Sequence, residues 1–141
     1  MVTKDYGLIT SMEELQLRAD KLAQGTGPIG FDIETGYLGQ DQAKGSLTAN
    51  GHAFIVGFSF TDNPDWARYV PLRHDFGTNL DPEEVWGVMK PVLEQPGRIV
   101  AHNLKFEMRH MQNEGIELGI LSDTMLEAYC LSEWPRVGLK E

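Results

Sequence analysis

Cysteine is nearly absent from this sequence. Cys130 stands alone among 141 residues, so no internal disulfide can form, and no Cys/His pair carries zinc-ligand spacing. No apolar run approaches the ~20 residues of a membrane helix, so no membrane contact is expected. The opening MVTKDYGLIT lacks the apolar core of a secretory leader, and the expected location is the cytoplasm. Basic residues are scarce: 12 Lys and Arg against 21 Asp and Glu give a formal net charge of −9. That excludes a domain gripping duplex DNA through its phosphates alone. Repeats, low-complexity tracts and linkers are also missing, which predicts a single domain over residues 1–141.

Turn and cap residues divide what remains. Ser11 and Glu14 fit a capping box ahead of a helix whose Met12, Leu15, Ala19 and Leu22 share a face, with Gly25 as its stop. PIGFDI (28–33) reads as a strand, followed by a long polar loop over about residues 36–52. AFIVGFSF (53–60) and ARYVPL (67–72), joined by the turn TDNPDW, read as a hairpin. Asp81 caps a helix with Pro82 in its first turn and Val85, Val88, Met89, Val92 and Leu93 inward, ended by Pro96-Gly97. RIVA (98–101) is a short strand. Asn103 caps or opens a helix with Leu104, Met108 and Met111 inward, closed by Gly115. IELGILSD (116–123) leads to a last strand, and Asp123 caps TMLEAYCL. Three hairpin-linked strands followed by helix-separated strands predict an α/β fold. The expected mixed sheet has three antiparallel strands and then parallel ones, flanked by helices; an RNase-H-like fold fits this order, as do many other α/β folds.

Asp32 and Glu34 fall two apart on the first of these strands, on one face, with Cα atoms about 6–7 Å apart. Neighbouring carboxylates repel unless a cation lies between them. Oxygen donors favour Mg²⁺ or Mn²⁺, and two such ions about 3.5–4 Å apart suit phosphodiester hydrolysis. Acid-x-acid triplets are common, and the apolar approach GPIGF is what sets this one at the end of a core strand. On spacing alone Glu107 reads as a solvent-facing helix residue. His74 reads as a turn residue, Trp66, Trp86 and Trp134 as packing, and Cys130 as a small buried hydrophobe. His52 and His110 carry no ligand spacing.

FDIET (31–35) resembles the first motif of the DEDD nucleases, a DxE pair followed by Thr. HNLKFE (102–107) resembles the second motif of the proofreading 3′→5′ exonuclease domain of DNA polymerase I. ARYVPLRHDF, MKPVLEQ and EGIELGILSDTMLEAYCL are similar to the intervening and following segments, so the resemblance is collinear over nearly the whole chain. It implies a two-metal site with Mg²⁺ or Mn²⁺: Asp32 bridging both ions, Glu34 on the ion that generates hydroxide, and Glu107 on the second. It implies contacts to a single-stranded DNA 3′ end from Thr35, Leu38, His102, Asn103 and Phe106, with Leu38 wedging against the terminal bases. It also implies a polymerase domain, attached or separate, to supply the DNA affinity that so acidic a chain lacks.

Two departures stand out. Glu107 replaces an aspartate, and one extra methylene moves the carboxylate by roughly 1.5 Å, which either weakens the second metal position or is absorbed by a water. The family's third motif, Tyr-x-x-x-Asp, has no counterpart: beyond Asp123 the acids are Glu127, Glu133 and Glu141. The expectation is a domain incomplete at its C-terminal end. Three functions remain open: an active exonuclease, an inactive exonuclease-like scaffold or DNA-binding domain, and an acidic interaction domain.

Overall fold

A computed structural model describes residues 4–37 and 53–131. The order is β1 (Asp5–Leu8), α1 (Met12–Gln24), β2 (Ile29–Tyr37), β3 (Ala53–Thr61), β4 (Trp66–Pro71), α2 (Pro82–Leu93), β5 (Ile99–Ala101), α3 (Leu104–Asn113), β6 (Ile120–Asp123) and α4 (Thr124–Leu131). The strands form one sheet ordered β1-β4-β3-β2-β5-β6. β2, β3 and β4 are antiparallel neighbours, whereas β5 joins β2, and β6 joins β5, in parallel. This is the mixed sheet expected from the sequence, with one strand more. β1 pairs in parallel with β4, tied by Arg68, which donates to the Asp5 carbonyl at 2.8 Å and to its carboxylate at 2.7 Å.

Strand register sorts the side chains. Ile33, Phe58 and Val70 lie in one cross-strand row and are buried. Helices α1 and α2 cover that face and pack on each other. Leu15, Ala19 and Leu22 of α1 are buried, with Met12 partly so, at the spacing of a helical stripe. Ser11 accepts from the Glu14 N–H at 3.3 Å, and Asp81 accepts from the Glu84 N–H at 3.0 Å, so both helices start where side-chain oxygens satisfy their free amides. Phe58 stacks on Trp86 of α2 with centroids 4.9 Å apart. Fully burying a ring such as Phe58 contributes about 2–3 kcal/mol. The adjacent row, Asp32, Ser59 and Tyr69, projects from the opposite face.

Several expectations are corrected. β2 does not stop near Ile33 but continues to Tyr37, so Asp32 and Glu34 sit mid-strand. Asn103 makes no side-chain cap; it adopts a left-handed backbone (φ 66°, ψ 48°), a conformation asparagine tolerates. Cys130 is exposed, because α4 buries none of its described residues. Glu107 is buried. Residues 36 and 37 of the loop expected at about 36–52 belong instead to β2; the rest of it, with Leu38 and His52, lies outside the described residues, as do Glu133, Trp134 and Glu141. No helix among the described residues is long and apolar enough to cross a membrane.

Candidate active site

The site is assembled where β2, β5 and α3 meet. Parallel pairing sets Gly30 against Val100, so His102, two residues past Val100, comes alongside Asp32, two residues past Gly30. A cleft of about 270 Å³ opens there, lined by Gly30, Asp32, Ser59, Val100, His102 and Thr124 among others. Asp32 and Glu34 are exposed and Thr35 is half-buried. The β2–β3 register slips by one residue between Glu34 and Thr35, skipping Val56 of β3, the kind of irregularity that re-aims side chains at functional edges.

α3 delivers the third carboxyl. Its first amides are held by Asp123: Oδ2 accepts from the Leu104 N–H at 2.9 Å and Oδ1 from the Asn103 N–H at 3.1 Å. The same Oδ1 accepts from the Met125 N–H at 2.9 Å and the Leu126 N–H at 3.4 Å, capping α4 as well. One carboxylate thus fixes two helix starts. Glu107, one turn into α3, is only 2% exposed, and its Oε2 has no hydrogen-bond partner among the described residues. Burial pushes its pKa up to about 7; a backbone hydrogen bond opposes the rise, and the charges of Asp32 and Asp123 add to it.

Besides Glu107, a residue lining the cleft itself carries an unsatisfied group. His102 Nδ1 lies 3.0 Å from Thr124 Oγ1, which donates to the Ala101 carbonyl at 3.3 Å. With the hydroxyl proton so engaged, Nδ1 carries a proton, and in the neutral ring Nε2 is then an acceptor. That Nε2 is buried and has no partner among the described residues. Phe106 packs against His110 with ring centroids 4.6 Å apart, and Asn103 is exposed at the helix start.

The donor set suits a divalent cation in part. Asp32 and Glu107 are hard oxygen donors within electrostatic reach of one another, and one Glu107 oxygen is buried and unsatisfied. Among the described residues, no three His, Cys, Asp or Glu side chains converge closely enough to enclose a metal ion.

One feature of this face escaped the sequence reading. Tyr69 stands in the Asp32–Ser59 row, and its hydroxyl is 2.8 Å from His74 Nε2. Its pKa is raised first by burial and then by the charges of Glu34 and Asp32. Counting register back from the hairpin turn would have set Tyr69 on the carboxylate face.

The mixed sheet with helices on its faces and the Asp32–Glu34 carboxylate pair on its central strand β2 defines an RNase-H-like exonuclease fold. The 3′-5′ exonuclease family model matches residues 6–141. The chain belongs to that family, in its DNA polymerase I type. It is 33% identical over 110 residues to DNA polymerase I of Pseudomonas aeruginosa, covering 73% of this chain and 11% of the relative. It is 31% identical over 133 residues to DNA polymerase I of Synechocystis sp., covering 88% and 12%. The chain therefore spans about a tenth of these relatives. The catalytic core of RRP6 from Trypanosoma brucei shares the fold, with TM-score 0.68 and 20% identity over 93% of this chain and 32% of that one.

Proposed function

We propose that this chain is a metal-dependent 3′→5′ exonuclease domain that removes nucleotides from single-stranded DNA 3′ ends in proofreading. The observation that carries the reading is the buried, unsatisfied Glu107 oxygen in the field of Asp32. Burying a carboxyl without a partner is costly, and a cation shared with Asp32 offsets that cost. Asp32 and Glu107 would hold Mg²⁺ or Mn²⁺, with Glu34 reaching from the same strand. When bound, the metal supplies Lewis acidity and an activated water. His102 Nε2 accepts a hydrogen bond from substrate in the cleft. Asn103, Phe106, Thr35 and Leu38 contact the frayed strand, where aromatic stacking tolerates any base. The polymerase domain, attached or separate, carries most of the DNA affinity, and the cytoplasm is its place of action.

A second reading is a domain that binds a 3′ end without hydrolysing it. The lack of three converging ligand side chains among the described residues favours it. A 5′-labelled single-stranded oligonucleotide incubated with the chain and Mn²⁺ separates the two. The proposal expects stepwise shortening that is lost in Asp32→Ala; an oligonucleotide that is bound but never shortened supports the second reading.

A further inference from the structure

We propose that Tyr69, held by His74, is a positioning residue for Glu34, donating its phenol proton to the Glu34 carboxylate. Glu34 lies directly across from Gly57 in the β2–β3 register. Such opposed residues carry their Cβ atoms about 4.5–5.5 Å apart on one face. Gly57 has no side chain there, and the Tyr69 hydroxyl occupies the space: a Cβ on Gly57 would lie 2.1 Å from it. The phenol oxygen is thereby set on the carboxylate face at the position across from Glu34, next to the register slip between Glu34 and Thr35; in this structure it bonds His74, and Glu34 lies within its electrostatic reach.

His74 holds that phenol from behind, at 2.8 Å. The histidine's main chain is itself held, its backbone N–H donating to Asn79 Oδ1 at 2.9 Å and its backbone carbonyl accepting from Asn79 Nδ2 at 2.8 Å. Two proton arrangements are open to the pair. If the phenol donates to His74, its lone pairs face the Glu34 carboxylate and repel it. If His74 donates through Nε2–H, the phenol proton is free to reach Glu34. The field of Glu34 and Asp32 favours the second. A carboxylate held in one rotamer before a cation or water arrives loses less freedom when it does. Neither residue touches the reacting atoms, so their action runs through Glu34.

The consequence for turnover rests on the exonuclease reading, but the proposed hydrogen bond does not. In the full chain carrying ¹³C-labelled glutamate, the Glu34 carboxylate resonance is assigned by its loss in Glu34→Gln. Tyr69→Phe and His74→Ala are each expected to shift that resonance with the circular dichroism spectrum unchanged. With saturating labelled oligonucleotide and Mn²⁺, Tyr69→Phe is expected to slow nucleotide removal about tenfold while oligonucleotide affinity holds, the scale of one hydrogen bond to a charged group. An unmoved Glu34 resonance in Tyr69→Phe overturns the proposal, as does a moved resonance with an unchanged rate. A moved resonance in a chain with no Mn²⁺-dependent shortening upholds the hydrogen bond and removes the exonuclease reading instead.

Discussion

Asp123 accepts the Leu104 N–H at 2.9 Å across 19 residues of sequence, and so fixes the start of the helix that carries Glu107. The same carboxylate caps α4. The position of the third candidate carboxyl therefore depends on a residue outside both motifs.

Replacing that carboxylate should be expensive. Asp123→Ala removes the acceptor for four backbone amides at two helix starts. At about 1 kcal/mol per cap, plus amides left unsatisfied, the expected loss is about 2–4 kcal/mol. Urea unfolding of the two proteins measures it; a loss no larger than that of an exposed-site control would contradict the double cap.

Glu107 gives the metal-free chain a pH signature. Its folded pKa of about 7 lies above the ordinary 4.5. Between those values the folded chain binds more protons than the unfolded chain, so stability falls as pH rises from about 4.5 to about 7. The fall should be on the order of 3 kcal/mol. In EDTA, Glu107→Gln should flatten that slope, and saturating Mn²⁺ should flatten it in the unaltered chain. Denaturation series at several pH values would show both.

Two glycines should respond oppositely to alanine. At Gly57 the added methyl meets the Tyr69 hydroxyl and lies 2.8 Å from the Val70 carbonyl oxygen. Overpacking there should cost about 1–3 kcal/mol. At Gly87, inside α2, nothing lies within 4 Å. Gly87→Ala should therefore stabilise by about 0.5–1 kcal/mol through helix propensity. Thermal melting of both variants reads the two signs.

Much of this was readable from the sequence, for identifiable reasons. α1 and α2 announce themselves because caps and buried stripes coincide, as Ser11 with Leu15 and Leu22, and Asp81 with Val85 and Met89. β1 did not, because all four of its residues are exposed and it is held by backbone pairing and by Arg68 rather than by apolar alternation. Glu107 misled by its charge. It falls three residues after Leu104 and four before Met111, on the buried stripe itself, and only the motif resemblance outweighed its polarity. Cys130 misled in the other direction: α4 is apolar, yet Leu126, Tyr129 and Leu131 stand exposed, and no pattern within a helix tells what covers it. Tyr69 and His74 needed the strand register, which is set by pairing across the sheet.

The central claim is that Asp32 and Glu107 share a divalent cation. Calorimetric titration of the unaltered chain with Mn²⁺, beside Asp32→Ala and Glu107→Gln, tests it most directly. Saturable binding that Asp32→Ala abolishes and Glu107→Gln weakens at least tenfold, the scale of losing a charged ligand contact, is the predicted result. Equal Mn²⁺ affinity in all three proteins, or no binding in any, would contradict the account.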